Sequence, residues 1–155
     1  MEKQKTLSDA EKLTNLETMK HIENVRNNLT TMAVKLLGRA KMHDLSKLSP
    51  PEVEIFTEYT SKLRGTTYGS DEYKEMLKEM KPALDHHYSY NRHHPEYHRN
   101  GIKDMNLIDI MEMFCDALAA VQRHQDGDIK KSIEINQKRF NYSDDLKSIL
   151  LNSIF

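Results

Sequence analysis

At 155 residues the chain has the usual size of one domain with one buried core. Apolar residues make up 37% and charged residues 30%, while 5 glycines and 4 prolines are too few for a loop-rich or all-β protein and suit long helices. A net charge of -1 with acids and bases intermixed argues against a nucleic-acid polymer as partner, and the one cysteine, Cys115, excludes an internal disulfide.

In chain order, Ser8-Asp9-Ala10-Glu11 reads as a capping box that opens the first helix. Leu13, Leu16, Met19, Ile22, Val25, Leu29, Ala33 and Leu36 then recur in helical steps, and Gly38 is expected to end the run. Ser49-Pro50-Pro51-Glu52 reads as a second capping box, opening a helix to about Arg64 that Gly65 stops before a loop at 66–70. A third helix is expected from Asp71, with a kink or fresh start at Pro82. From Tyr88 to Asp104 no clean period survives, and Asn100-Gly101 is a turn signal. A fourth helix runs from about Met105 to His124 with Leu107, Ile110, Met111, Phe114, Leu118 and Val121 as its core stripe, and Cys115 in this run is expected to be buried and inert. Asp126-Gly127-Asp128 breaks it, and two short helices follow, the second capped by Ser143. The expectation is an all-α, single-domain bundle of about six helices over 1–155, with a functional core at about 15–125 and C-terminal helices at about 128–155. No apolar run is long enough to span a membrane, and the polar start lacks a signal-peptide core, so the expected address is the cytoplasm.

Eight histidines are many for this length, and four stand at His86, His87, His93 and His94. Imidazole and carboxylate together are the donor set of transition metals. The adjacent pair His43-Asp44 suits two nearby ions, because a carboxylate has two oxygens. His21 lies at the edge of the first apolar stripe. Of His86 and His87, only one can point squarely inward, and His87 better continues the Met80-Leu84 stripe. In His93-His94-Pro95-Glu96 the proline extends the chain at His94, the favoured ligand of that pair, with His93 as the alternate. Asp109, Glu112 and Asp116 share one side of the fourth helix; Asp116 lies in an otherwise apolar run, where a carboxylate needs a partner or an ion, and Asp109 is an alternate.

Taken in order, His21, His43-Asp44, His87, His94 and Asp116 resemble the ligand series of the HD phosphohydrolase superfamily, and His43-Asp44-Leu45-Ser46-Lys47 is similar to its HD-x-x-K stretch. The chain also resembles short bacterial and phage proteins of uncharacterised function that share the HD-x-SK and HHPE stretches. The mixed His and carboxylate donors suit one or two divalent transition ions, Mn, Fe, Co, Ni or Zn, better than Mg alone. The superfamily resemblance implies hydrolysis of a small phosphorylated substrate, a nucleotide among the candidates, with Lys47 facing the phosphate. Glu96 or Glu112 would move a proton to the leaving oxygen. Arg26 and Arg92 are candidate phosphate contacts by charge and closeness in sequence. Two other readings stay open: a di-iron oxygenase on the same scaffold, and a non-catalytic module stabilised by metal. Ile149, Leu150, Leu151, Ile154 and Phe155 form either a partner surface or a helix docked in the core; the reading taken is a homodimer.

Overall fold

The structure, a computed structural model, describes residues 6–66, 70–123 and 127–155. The polar start at 1–5, most of the loop at 66–70 and the expected end of the fourth helix at His124 lie outside the described residues. Among the described residues seven α-helices follow one another: α1 (Asp9–Met42), α2 (Glu52–Arg64), α3 (Asp71–Glu79), α4 (Lys81–Tyr90), α5 (Leu107–Val121), α6 (Ile129–Phe140) and α7 (Asp144–Asn152). Short 3-10 turns stand at Leu45–Leu48, Pro95–Tyr97 and Gly101–Asp104, and there is no strand among the described residues. The all-α expectation holds. The count exceeds six because Pro82 sits in the first turn of α4, where its missing N–H costs nothing, so the run after Asp71 restarts as a separate helix. No helix among the described residues is long and apolar enough to cross a membrane.

The chain divides into two units, Met1–Gly38 and Arg39–Phe155. The first is the bulk of α1. Its capping box forms as expected: the Ser8 N–H donates to Glu11 Oε2 at 2.7 Å, and the Glu11 N–H donates to Ser8 Oγ at 3.3 Å. Gly38 does not end the helix. Leu36, Leu37, Arg39 and Ala40 around it are good helix formers, a lone glycine costs only about 1 kcal/mol, and α1 runs to Met42. No described residue of α1 is fully buried.

The second unit holds a core of Phe114, Ile133, Tyr142 and Leu150, flanked by Ile110, Leu118, Ile129, Leu146 and Ile154. The Tyr142 hydroxyl is buried and donates to the Ile133 carbonyl at 2.6 Å. Asp128 caps α6 and Ser143 caps α7 through their side-chain oxygens, and Asn141 turns the chain between the two helices in the left-handed region at φ 52. Gly127 is required by space, since a Cβ there would overlap the Val121 carbonyl. The C-terminal helix docks by one side: Leu150 is buried, while Ile149 and Phe155 stay exposed.

α5 corrects the sequence reading. Leu107 and Met111, assigned to the core stripe, are 61% and 39% exposed, and Cys115, expected to be buried, is exposed. Phe114 of the expected stripe is buried, with Ile110 and Leu118 packed on the core, and the other buried residues of α5 are Ile108, Asp109 and Glu112. The acidic row at 109, 112 and 116 turns toward the protein, and Leu107, Met111 and Cys115 are carried to the outside.

Candidate metal centre

The site lies wholly within the second unit. α1 ends at Met42, and His43 and Asp44 follow, Asp44 in the left-handed region at φ 56. A non-glycine residue there is uncommon, although aspartate tolerates it better than most. The turn at Leu45–Leu48 carries Ser46 and Lys47, α2 opens with Glu52, α4 carries His86 and His87, the segment after α4 carries His93 and His94, and α5 brings Glu112 and Asp116. Among the described residues two groups of ligand-type atoms result, each with all atoms within 4.8 Å of one another: Asp44, His87, His93 and His94, and His43, His93 and Asp116.

The distances show what holds them. His87 Nε2 lies 3.2 Å from Asp44 Oδ1 and 2.9 Å from His94 Nε2, and His93 Nε2 lies 3.4 Å from Asp44 Oδ1. Ligands bound to one ion at about 2.0–2.2 Å stand about 3 Å apart, which is this spacing. On the other side His43 Nε2 lies 3.5 Å from Asp44 Oδ2 and 3.8 Å from Asp116 Oδ1. Asp44 Oδ1 and His93 Nε2 are buried and have no hydrogen-bond partner among the described residues. Such atoms are costly to bury unless something satisfies them, and here both face the same small space.

The far sides of the rings are tied down. One oxygen, Glu112 Oε1, accepts from His43 Nδ1 at 2.9 Å and stands 3.2 Å from His93 Nδ1. Glu52, fully buried, accepts from His86 Nδ1 at 2.7 Å through Oε1 and from His87 Nδ1 at 2.8 Å through Oε2; Ser46 Oγ donates to the same Oε2 at 3.1 Å. A proton committed to a carboxylate at Nδ1 leaves the Nε2 lone pair facing the group, which is how carboxylates orient metal-binding histidines. The donor set therefore fits a transition ion at the first group. A second ion does not fit on equal terms. His93 Nε2 has one lone pair and cannot serve both groups, and Lys47 Nζ already pairs with Asp44 Oδ2.

Electrostatics separate the two sides further. The His43 imidazole is pushed up to about 10 by hydrogen bonding to Asp116 and Glu112, against the opposing effect of burial, with the charge of Asp44 adding to the rise. Burial, then the neighbouring His93 and His87 rings, drives His94 down to about 3. Burial raises Asp44, but contacts with His87 and Lys47 and the charge of His43 outweigh it and hold the carboxyl well below its usual range. Glu112 is likewise held low, by His43, His93 and Arg39 against the effect of burial.

Most of the residues singled out from sequence meet here: His43, Asp44, His87, His94, Asp116, Lys47 and the alternate His93. Others have different surroundings. His86 lies in neither group, its ring stacked on Tyr90 at 4.5 Å between centroids. Asp109 is also in neither group: it forms a capping box with Asn106 and takes ion pairs from Arg39 at 2.9 Å and from Arg92 at 2.9 Å. Glu112 is occupied by the two rings and by Arg39. Glu96 pairs with Arg139 at 2.7 Å. His21 and Arg26 belong to the first unit, both exposed, Arg26 paired with Glu23 at 2.7 Å.

Glu52 is the residue that sequence reasoning misassigned. A capping box needs the Ser49 hydroxyl on the Glu52 N–H, but that N–H bonds the Ser49 carbonyl at 3.1 Å, and the carboxylate goes to the histidines. Beside the ligand groups a cavity of about 330 Å³ opens, lined by Arg39, Ser46, Asn91, Arg92, His93 and Glu112 with apolar Met42, Leu45 and Tyr90, a size suited to a small ligand.

Neither the curated proteins nor the solved structures contain a match to this chain. A family model does match, over residues 10–154, and the chain accordingly belongs to the family of unknown function DUF5662.

Proposed function

We propose that the chain is a metal-dependent hydrolase of small phosphate esters, of the HD type, with Asp44, His87, His93 and His94 holding one divalent transition ion. The observation that carries this reading is the convergence of the His87 and His93 Nε2 atoms on Asp44 Oδ1, with His94 in the same group and both rings braced from behind by Glu52 and Glu112. A bound ion of this kind acidifies a water molecule and neutralises phosphate oxygens. The chain's own residues supply the rest. Arg39 and Arg92, held by Asp109, line the cavity beside the ligands and would add positive charge there for an anionic substrate. Lys47 holds its ammonium at Asp44 Oδ2, where it can meet a phosphate oxygen. His43, protonated in the ion-free site and close to Asp116, is suited to give a proton to the leaving oxygen. Glu112, held by two rings and Arg39, acts through their placement, and Glu96 is left outside the proton path.

The test is phosphate release from a panel of phosphomonoesters and nucleotides by protein loaded in turn with Mn, Fe, Co, Ni and Zn. Turnover with at least one metal, lost in Asp44→Ala, supports the proposal. Tight metal binding without turnover on any substrate would leave a non-catalytic metal-stabilised module, and oxygen uptake by the iron form would point to an oxygenase.

A further inference from the structure

α1 carries a long apolar surface that none of its own residues covers. Leu13, Leu16, Met19, Ile22, Val25, Leu29, Val34 and Leu37 are between 42% and 71% exposed. Ile22, Val25 and Leu29 of this run, with the half-buried Met32 and Leu36, step by three and four in alternation, the spacing of a coiled-coil seam. A surface of this kind marks a contact, since most helical stability in proteins comes from packing an apolar face.

The charge pattern indicates what packs there. From Asp9 to Glu23 there are four acids against Lys12 and Lys20; from Asn24 to Met42 there is no acid, and Arg26, Lys35, Arg39 and Lys41 are all basic. Two copies side by side in parallel would place like ends together. Two copies antiparallel place the acidic half of each along the basic half of the other. An antiparallel overlap that sets seam against seam puts Ile22 opposite the partner's Met32 and Val25 opposite the partner's Leu29, with the two-fold axis at Asn27, two residues from Val25, and Glu17 close to the partner's Lys35. A helix of 34 residues is about 50 Å long and about 10 Å wide, and half its surface is about 800 Å², what a stable interface buries on each partner. A two-fold pairing uses the same surface on both copies and closes at two.

We infer that α1 is the dimerisation element of this protein, pairing antiparallel with α1 of a second copy along the Ile22–Leu36 seam. The test measures the mass of the full chain in solution by light scattering and sedimentation, from 1 to about 100 µM. The expected mass is twice the 18.2 kDa of one chain. The double variant Ile22→Lys/Leu29→Lys, checked for helix content by circular dichroism, is expected to weaken the dimer at least tenfold. Glu17→Lys is expected to weaken it less, and adding Lys35→Glu to restore it. In a Cys115→Ser background, Val25→Cys, next to the two-fold axis, is expected to cross-link to itself, and Leu13→Cys is not. A single-chain mass at 100 µM overturns the inference, as does a dimer unaffected by Ile22→Lys/Leu29→Lys, which would place the contact elsewhere, for instance on Ile149 and Phe155. Cross-linking of Leu13→Cys as readily as Val25→Cys would mean parallel pairing and overturns the antiparallel arrangement.

Discussion

The two oxygens of Asp44 look into different halves of one site. On the Oδ1 side stand the Nε2 atoms of His87 and His93 at 3.2 and 3.4 Å, with His94 beyond them. On the Oδ2 side stand His43 at 3.5 Å and the Lys47 ammonium. In the first half the carboxylate oxygen has no hydrogen bond among the described residues, and His94 is driven down to about 3 by burial and the neighbouring rings. In the second half negative charge is already met, by Lys47 and by a His43 pushed up to about 10. A cluster of ligand-type residues is therefore not enough to infer an ion. What matters is whether a lone pair is left over once the protein's own protons and ammonium groups have been placed, and that condition holds on the Oδ1 side.

This contrast can be broken or sharpened by experiment. The largest effect is expected from Asp44→Ala, which removes the oxygen common to both halves; tight metal binding should disappear in isothermal titration. Next comes Glu52→Gln, which leaves the ligands in place but frees the His87 ring; loss of such an outer partner typically costs about 10- to 100-fold in metal affinity. Its effect should fall on the first ion alone, whereas Glu112→Gln loosens His93 and His43 together and should touch both halves. Smaller still is Lys47→Ala, which vacates Asp44 Oδ2. It is expected to tighten binding of a second ion by about tenfold, read as a second step in the titration, while leaving the first step unchanged. The smallest effect is on stability. The folded pKa of His43 is raised, so its contribution is fully present below the unfolded value near 6.5 and is lost as pH rises through about 10. The melting temperature of ion-free protein should fall over that interval by on the order of 5 °C, and by less in His43→Gln.

The helices were largely legible in the sequence because their signals are local. Ser8, Gly65, Pro82 and Ser143 mark starts and stops through the backbone groups of a single turn. Two signals misled. Gly38 reads as a stop but lies inside α1, and it is Asp44, in the left-handed conformation, that turns the chain. On α5 the stripe was right at Phe114, Ile110 and Leu118 but wrong at Leu107 and Met111, because Asp109 and Glu112 take part of the buried face, with partners from the end of α1 and from the segment after α4. The same distance in sequence hid Glu52, which reaches residues 34 and 35 positions away. His93 ranked below His94 because Pro95 fixes the backbone at His94, and the irregular segment offers no period to judge the direction of His93, yet His93 is the more buried of the two and belongs to both groups.

The central claim is that the Oδ1 side of Asp44 holds a metal ion, and elemental analysis of protein purified without added metal, then after reconstitution, tests it most directly. The expected result is close to one transition ion per chain in the wild type, none in Asp44→Ala or His87→Ala, and near wild-type content in Asp116→Asn, which alters the other half. No ion in the wild type even after reconstitution, or an ion that survives Asp44→Ala, would contradict the account.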